Sequence, residues 1–301
     1  MYVNGEFRTK NEATVSVYDH GLLYGDGIFE GIRVYKERIF KCEQHMDRLW
    51  RSAKALRLKI PVSREEMIAI QRRCIEINGI VDGYIRLVVT RGVGTLGLNP
   101  FACPEAGIIC IADQIALYPP EMYSKGMTVC IAERPRLPIR CLDPRVKSLN
   151  YLNNIMAKVE SLDRGLLEAI MLNTDGYVSE CTGDNIFAVK DGVIFTPPGD
   201  AGILEGITRQ FIMDTVAPAC GYRVEERMIK PIELIKADEV FLTGSAAEMI
   251  AVTAIIAQDP AGHDFEHVIG TDKTVKAEGK MTREMRAKFR EIVTGDDVPE
   301  D

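Results

Sequence analysis

No two of the eight cysteines, Cys42, Cys74, Cys103, Cys110, Cys130, Cys141, Cys181 and Cys220, stand closer than seven residues, so there is no C-x-x-C pair. The four histidines are scattered, without an H-x-x-x-H or a mixed His/Cys cluster. Both absences argue against a structural zinc site. Several cysteines sit inside apolar runs, as Cys110 does in Ile-Ile-Cys-Ile, and read as buried, reduced thiols of a cytosolic protein. No apolar run approaches the ~18 residues of a membrane span. The N-terminus, Met-Tyr-Val-Asn-Gly-Glu-Phe-Arg, lacks the basic start, apolar stretch and cleavage site of a signal peptide. Positive charge is in deficit: the net charge is −7 and the pI near 5.4, which speaks against nucleic acid or an anionic membrane as partner. The expectation is a cytoplasmic protein with no nucleic-acid and no membrane partner.

What remains is an ordinary globular chain of 301 residues, 46% hydrophobic and 27% charged. That length predicts about two domains and buries roughly three quarters of the unfolded surface, so no disulfide or metal is needed to fold. There is no internal repeat. Asn4-Gly5 between Tyr2-Val3 and Glu6-Phe7 signals a two-residue hairpin. Strands are expected at 28–35, 84–90 and 108–112, and helices near 44–57 and 64–78, where apolar residues fall at helical spacing. Pro119-Pro120, with Gly126 soon after, reads as a linker over 119–126. Beyond it come a strand at 127–133 and a helix at about 148–163. Hairpins at Asp175-Gly176 and Asp191-Gly192 follow, then a helix near 208–217 that stops before Pro218. Strands near 222–229 and 239–243 and a helix at 273–293 complete the chain. The expectation is two α/β domains with mostly antiparallel pairing, 1–118 and 127–301.

Gly92-Val93-Gly94-Thr95-Leu96-Gly97 matches G-x-G-x-x-G, but Leu98-Asn99-Pro100-Phe101 follows, so no helix opens there to hold a pyrophosphate. A glycine-rich surface loop is expected instead.

Four segments of the second half fit a phosphate-bearing cofactor together, and each has an ordinary reading alone. Lys147 lies at the start of the expected helix 148–163, where the dipole would lower its pKa and suit a Schiff-base amine; most such lysines are simply solvated. Gly206-Ile207-Thr208-Arg209 leads into a helix whose N–H groups suit an anion, or is a plain threonine cap. Thr243-Gly244-Ser245-Ala246-Ala247 lets a ligand approach the backbone, or is a strand-to-helix turn. Glu180 alternates with Val178 and is either a partner for a ring nitrogen or an exposed strand carboxylate.

As a set, these segments resemble the class IV pyridoxal-phosphate aminotransferases, and most closely the branched-chain amino-acid aminotransferases. The matching text is Tyr24–Arg33, His45–Leu49, Lys147–Leu152, Glu180–Asn185, Leu204–Arg209 and Glu239–Glu248, in the family's order. The resemblance implies the two-domain fold type IV, D-amino-acid aminotransferase-like, with a smaller N-terminal α/β domain and a larger β-barrel-like domain that binds pyridoxal 5'-phosphate. It implies Lys147 as the catalytic Schiff-base lysine. Arg48, Gly206, Ile207, Thr208 and Ser245 would lie at the phosphate, and Tyr151 at the ring oxygen. Glu180 would hold the ring nitrogen protonated, making the ring an electron sink, and Gly183 and Leu204 would sandwich the ring. For substrate it implies Tyr84 with the Ser245 and Ala246 N–H groups at the α-carboxylate, and Arg86 at the distal carboxylate of glutamate. Tyr24 and Phe29 would line an apolar pocket, and the loop bearing Leu98 would reach over from a neighbouring subunit. The implied reaction is ping-pong transamination of L-leucine, L-isoleucine or L-valine with 2-oxoglutarate, giving L-glutamate, in a homodimer or higher homo-oligomer.

Three relatives of that resemblance remain open: D-amino-acid or (R)-amine transaminases, an aminodeoxychorismate lyase-like enzyme, and a non-catalytic pyridoxal-phosphate protein. The D-amino-acid branch carries an arginine and a histidine after its Arg-Gly pair. Here Leu96 and Leu98 fall there, and an apolar wall leaves a buried carboxylate unpaired. Joint presence of Lys147, Tyr151 and Glu180 favours catalysis over mere binding.

Overall fold

The computed structural model describes residues 1–115, 118–259 and 261–295. The chain forms two compact units, one of Met1–Ala116, Val146–Tyr151 and Ile292–Asp301, the other of Leu117–Arg145 and Leu152–Glu291.

The first unit contains β1 (Tyr2–Val3), β2 (Glu6–Phe7), α1 (His20–Tyr24), β3 (Gly27–Tyr35), β4 (Arg38–Ile39), α2 (Cys42–Ala55), α3 (Arg64–Asn78), β5 (Gly83–Thr90) and β6 (Gly107–Asp113). Its sheet runs β2-β1-β6-β5-β3-β4 and is antiparallel at every described pairing. Asn4 and Gly5 both take positive φ, 47° and 98°, as the expected hairpin turn requires. α3 starts on a capping box, Ser63 accepting from the Glu66 N–H and Glu66 accepting from the Ser63 N–H. One sheet face, with Ile28, Ile32, Ile85 and Leu87, packs with Met46 and Leu49 of α2 and Met67 of α3 in the core. The other face carries Phe29, Gly31, Tyr84 and Arg86, since side chains alternate along a strand.

The second unit holds α4 (Pro120–Lys125), β7 (Met127–Ile131), α5 (Leu152–Asp163), β8 (Ala169–Leu172), β9 (Val178–Cys181), β10 (Asn185–Lys190) and β11 (Val193–Thr196). It continues with α6 (Ile207–Phe211), α7 (Ala217–Ala219), β12 (Val224–Glu226), α8 (Pro231–Ile235), β13 (Glu239–Gly244), β14 (Glu248–Gln258), β15 (Asp264–Val268) and most of α9 (Lys280–Thr294). The strand order is β12-β11-β10-β13-β14-β7-β8-β9, with β15 also on β14. β9 thus ends the path on the far side from β10, yet a tight turn joins them, closed by the Cys181 N–H on the Asp184 carbonyl at 2.7 Å. The sheet therefore curls back on itself, as the expected larger β-barrel-like domain requires. Three of its pairings, β11–β12, β14–β7 and β7–β8, are parallel, but the other five described pairings are antiparallel, so antiparallel pairing predominates as expected.

Other expectations change. The expected linker contains α4, because Pro120 at the first helical position is pre-set for a helix start. The helix expected from 148 begins at Leu152, since 147–149 pairs its backbone with β3. The helix expected to stop before Pro218 continues through a π-helical stretch, Ile212–Val216, into α7. The 243–247 segment turns between antiparallel strands β13 and β14, not from strand to helix. All eight cysteines are free; five are buried, whereas Cys141 is exposed. Among the described residues, no helix is long and apolar enough to cross a membrane.

Candidate active site

Lys147 does not sit at a helix start. The Phe29 N–H donates to its carbonyl at 3.0 Å, and the Leu149 N–H donates to Gly27 at 2.9 Å, so the segment runs along β3. The helix that follows starts only at Leu152, so Lys147 does not stand at a helix N-terminus as expected. Its side chain nevertheless meets Tyr151: Nζ donates to the phenol oxygen at 3.1 Å. Nζ also lies 4.6 Å from the Phe29 ring centroid, and the Tyr151 ring packs edge-on to Phe29 at 5.0 Å.

Arg86 approaches the same ring, its guanidinium carbon 4.7 Å from the Phe29 centroid, and donates to the Tyr84 hydroxyl at 3.2 Å. Gly31 makes room for that phenol: a Cβ there would lie 1.8 Å from the Tyr84 oxygen. Burial raises the Tyr84 phenol above its ordinary value, so it stays protonated. Two half-buried cations, Lys147 and Arg86, thus lie against one aromatic ring, that of Phe29, and among the described residues neither forms an ion pair. Such a cluster suits a ligand that brings its own negative charge.

Behind this face, Arg48 is buried and holds Glu30 through Nε and Nη2 at 2.8 and 2.7 Å. His45 Nδ1 meets the same carboxylate at 2.7 Å. Tyr24 is exposed, and its hydroxyl accepts from the Gly97 N–H at 3.0 Å. The 92–98 segment is a loop as expected, with Leu98 82% exposed.

In the second unit Glu180 is a buried residue of β9, not an exposed strand carboxylate. Oε1 accepts from Arg136 Nε and Nη2 at 2.9 and 2.8 Å, and Oε2 from Asn185 and the Leu204 N–H at 3.2 and 2.9 Å. Arg136 and Asn185, which fix Glu180, escape sequence reasoning; Arg136 lies 44 residues away, and the one local signal is a carboxylate between apolar neighbours. Ile207 and Thr208 open α6 after Gly206, which gives no side-chain cap, and Thr208 is buried. Ser245 and Ala246 form the half-buried turn after β13, and Gly183 lies exposed in the turn after β9. Thr243 Oγ1 is buried and, among the described residues, has no hydrogen-bond partner, and Gly244 lets Asp184 Oδ1 approach to 2.1 Å of where a Cβ would stand.

An amine beside a phenol, a carboxylate locked by a guanidinium, and an orphaned hydroxyl beside a glycine turn are donors and acceptors of the kinds pyridoxal phosphate requires. The chain belongs to the class IV aminotransferases, enzymes that depend on pyridoxal phosphate: the family model for amino-transferase class IV matches residues 27–255. Among its relatives, a Methanocaldococcus jannaschii protein provisionally assigned as a branched-chain-amino-acid aminotransferase is 44% identical, over 98% of this chain and 96% of its own. A D-alanine aminotransferase of Listeria monocytogenes is 33% identical over 98% and 96%. The solved branched-chain aminotransferase from the thermophilic archaeon Thermoproteus uzoniensis, with norvaline, superposes with a TM-score of 0.86 at 33% identity, covering 98% of this chain and 95% of that one.

Proposed function

We propose that this enzyme transfers the amino group of L-leucine, L-isoleucine or L-valine to 2-oxoglutarate, giving the 2-oxo acids and L-glutamate in a ping-pong cycle. The observation that carries the reading is the pair of cations, Lys147 and Arg86, over Phe29, flanked by Tyr151 and Tyr84. Bound pyridoxal phosphate supplies an electrophilic carbon and an electron sink. Lys147 Nζ is the base that moves the substrate α-proton, and the Tyr151 hydroxyl keeps that amine in place. Arg48 and the backbone of Gly206, Ile207, Thr208 and Ser245 hold the phosphate. Glu180 would face the ring nitrogen; of the four contacts described above, the one from Asn185 is the longest and the one a pyridinium N–H would displace. Gly183 and Leu204 flank the ring.

Tyr84, with the Ser245 and Ala246 N–H groups, receives the α-carboxylate. Arg86 receives the second carboxylate of glutamate, which lets one pocket alternate between an apolar and an acidic side chain. Phe29, Tyr24 and Leu98 supply the apolar wall. Leu96 and Leu98 are 71% and 82% exposed, and Leu152, Ile155, Met156, Val159 and Leu162 form an exposed stripe along α5. Apolar surface of this kind supports association with further copies, a homodimer or larger. A cytoplasmic setting accords with the free cysteines.

The test is formation of L-glutamate from 2-oxoglutarate with L-leucine, L-isoleucine, L-valine or D-alanine as donor. The reading expects glutamate with the three L-amino acids. D-glutamate formed with D-alanine alone would instead support the D-amino-acid reading that the Listeria relative raises.

A further inference from the structure

We propose that Glu30 and His45 are positioning residues for the cofactor phosphate, acting through Arg48. The inference rests on the assignment of Arg48 to the phosphate made above. Glu30 is the lone acid in the β3 text Gly-Ile-Phe-Glu-Gly-Ile-Arg-Val-Tyr, and its side chain points to the helix-packed face, with Ile28 and Ile32. It is fully buried; Arg48 and His45 come from α2, three residues apart and on one helix face. All three side chains are at most 4% exposed.

A buried ion pair is a poor way to hold a strand against a helix. Well-packed apolar side chains at the same places would be as stable or more so. What the ion pair supplies, and leucine and methionine cannot, is a cation of fixed direction. Two of the three Arg48 nitrogens lie on the Glu30 carboxylate as a bidentate fork, which sets the plane of the guanidinium. A phosphate held there would meet a guanidinium whose direction Glu30 has set.

His45 fixes Glu30 in turn. Glu30 Oε2 accepts from it as well as from Arg48, so the imidazole donates through Nδ1–H. Burial pushes the imidazole below its ordinary value, against the pull of Glu30, so His45 serves as a neutral donor. Burial opposes the Glu30 charge too, but Arg48 and His45 outweigh it and hold the carboxyl well below the usual range. The charge of Glu30 is therefore directed at Arg48. The group also lies within electrostatic range of the chemistry, His45 of Lys147 and Arg48 of Tyr151.

The experiment titrates the full chain, freed of cofactor, with pyridoxal phosphate, and records the phosphorus resonance of the bound phosphate. Arg48→Met, Glu30→Gln, His45→Leu and His45→Asn are compared with the unaltered chain. Asparagine places an N–H near the imidazole Nδ1, whereas leucine removes it. Arg48→Met and Glu30→Gln are expected to raise the dissociation constant about tenfold or more, the worth of one charge-assisted hydrogen bond. His45→Leu is expected to raise it severalfold and to move the phosphorus resonance. His45→Asn is expected to restore both, a rescue that a purely structural role does not produce. If Arg48→Met binds the cofactor as the unaltered chain does, the assignment of Arg48 to the phosphate fails. If Arg48→Met binds weakly while Glu30→Gln and His45→Leu show native affinity and an unmoved resonance, the positioning role alone fails. Should Glu30→Gln not fold, the His45 pair decides by itself.

Discussion

Tyr151 follows Lys147 by four residues, and their side chains meet at 3.1 Å, although no helix joins them. An extended run along β3 brings Lys147 over the Phe29 ring, and Tyr151 reaches the same ring edge-on. Lys147→Ala removes the proposed proton carrier without touching the core. It should abolish transamination, by well over a hundredfold in kcat, while leaving the circular dichroism and Tm close to native. Full activity in this variant would sink the assignment. Tyr151→Phe keeps the ring contact and removes the hydroxyl, so a smaller loss, about tenfold in kcat, is expected.

Gly31→Ala addresses the substrate end. Its Cβ would collide with the Tyr84 oxygen, and that phenol accepts from Arg86. Displacing it by about an ångström should cost up to a hundredfold in kcat/KM for the amino acid. Most of the loss should appear in KM, with the absorption of bound cofactor unchanged. A native KM would show that Tyr84 has no part in holding substrate.

Arg136→Met leaves the buried Glu180 carboxylate without its guanidinium. Removing one partner of a buried pair costs about 3–5 kcal/mol, and denaturant melts should show a loss of that order. Tight cofactor binding should be lost with it. A variant as stable as the unaltered chain would mean that Asn185 and the Leu204 N–H suffice to hold Glu180.

Asp184 carries a pH prediction. Its side chain accepts from the Tyr118 hydroxyl at 2.9 Å, and burial, then the charge of Glu168, push its carboxyl up to about 7 from an ordinary 3.8. A group raised in the folded state favours folding fully below its unfolded value, and that contribution is lost as pH rises through the folded value. The window here runs from about 3.8 to about 7. Asp184→Asn removes the titration, so its Tm relative to the unaltered chain should climb between pH 5 and pH 8. A difference that stays flat or falls contradicts the placement.

Much of this architecture is legible from side-chain order. The alternation in β5, the helical spacing of Met46, Leu49 and Ala53, and the Asn4-Gly5 turn are local signals, and each element stands where they point. The failures share a cause, tertiary contacts overriding local preference. Residues 147–149 read as the run-up to a helix, but their backbone groups find partners on β3. The Pro119-Pro120 pair reads as a break, yet Pro120 starts α4. For the site, Lys147, Tyr151 and Glu180 stand out by type and order, but the groups that hold them come from distant sequence: Arg136 for Glu180, and Phe29 beneath Lys147. Glu30 offers a readable clue, since one acid in an apolar strand on a packed face needs a buried partner.

The central claim, that Lys147 and its neighbours act on branched-chain L-amino acids through pyridoxal phosphate, is tested most directly by the visible absorption spectrum of the purified protein before and after L-leucine, with D-alanine in parallel. The account predicts that the band of the lysine-bound cofactor is lost with L-leucine and persists with D-alanine. Loss with D-alanine alone, or a band indifferent to L-leucine, would contradict it.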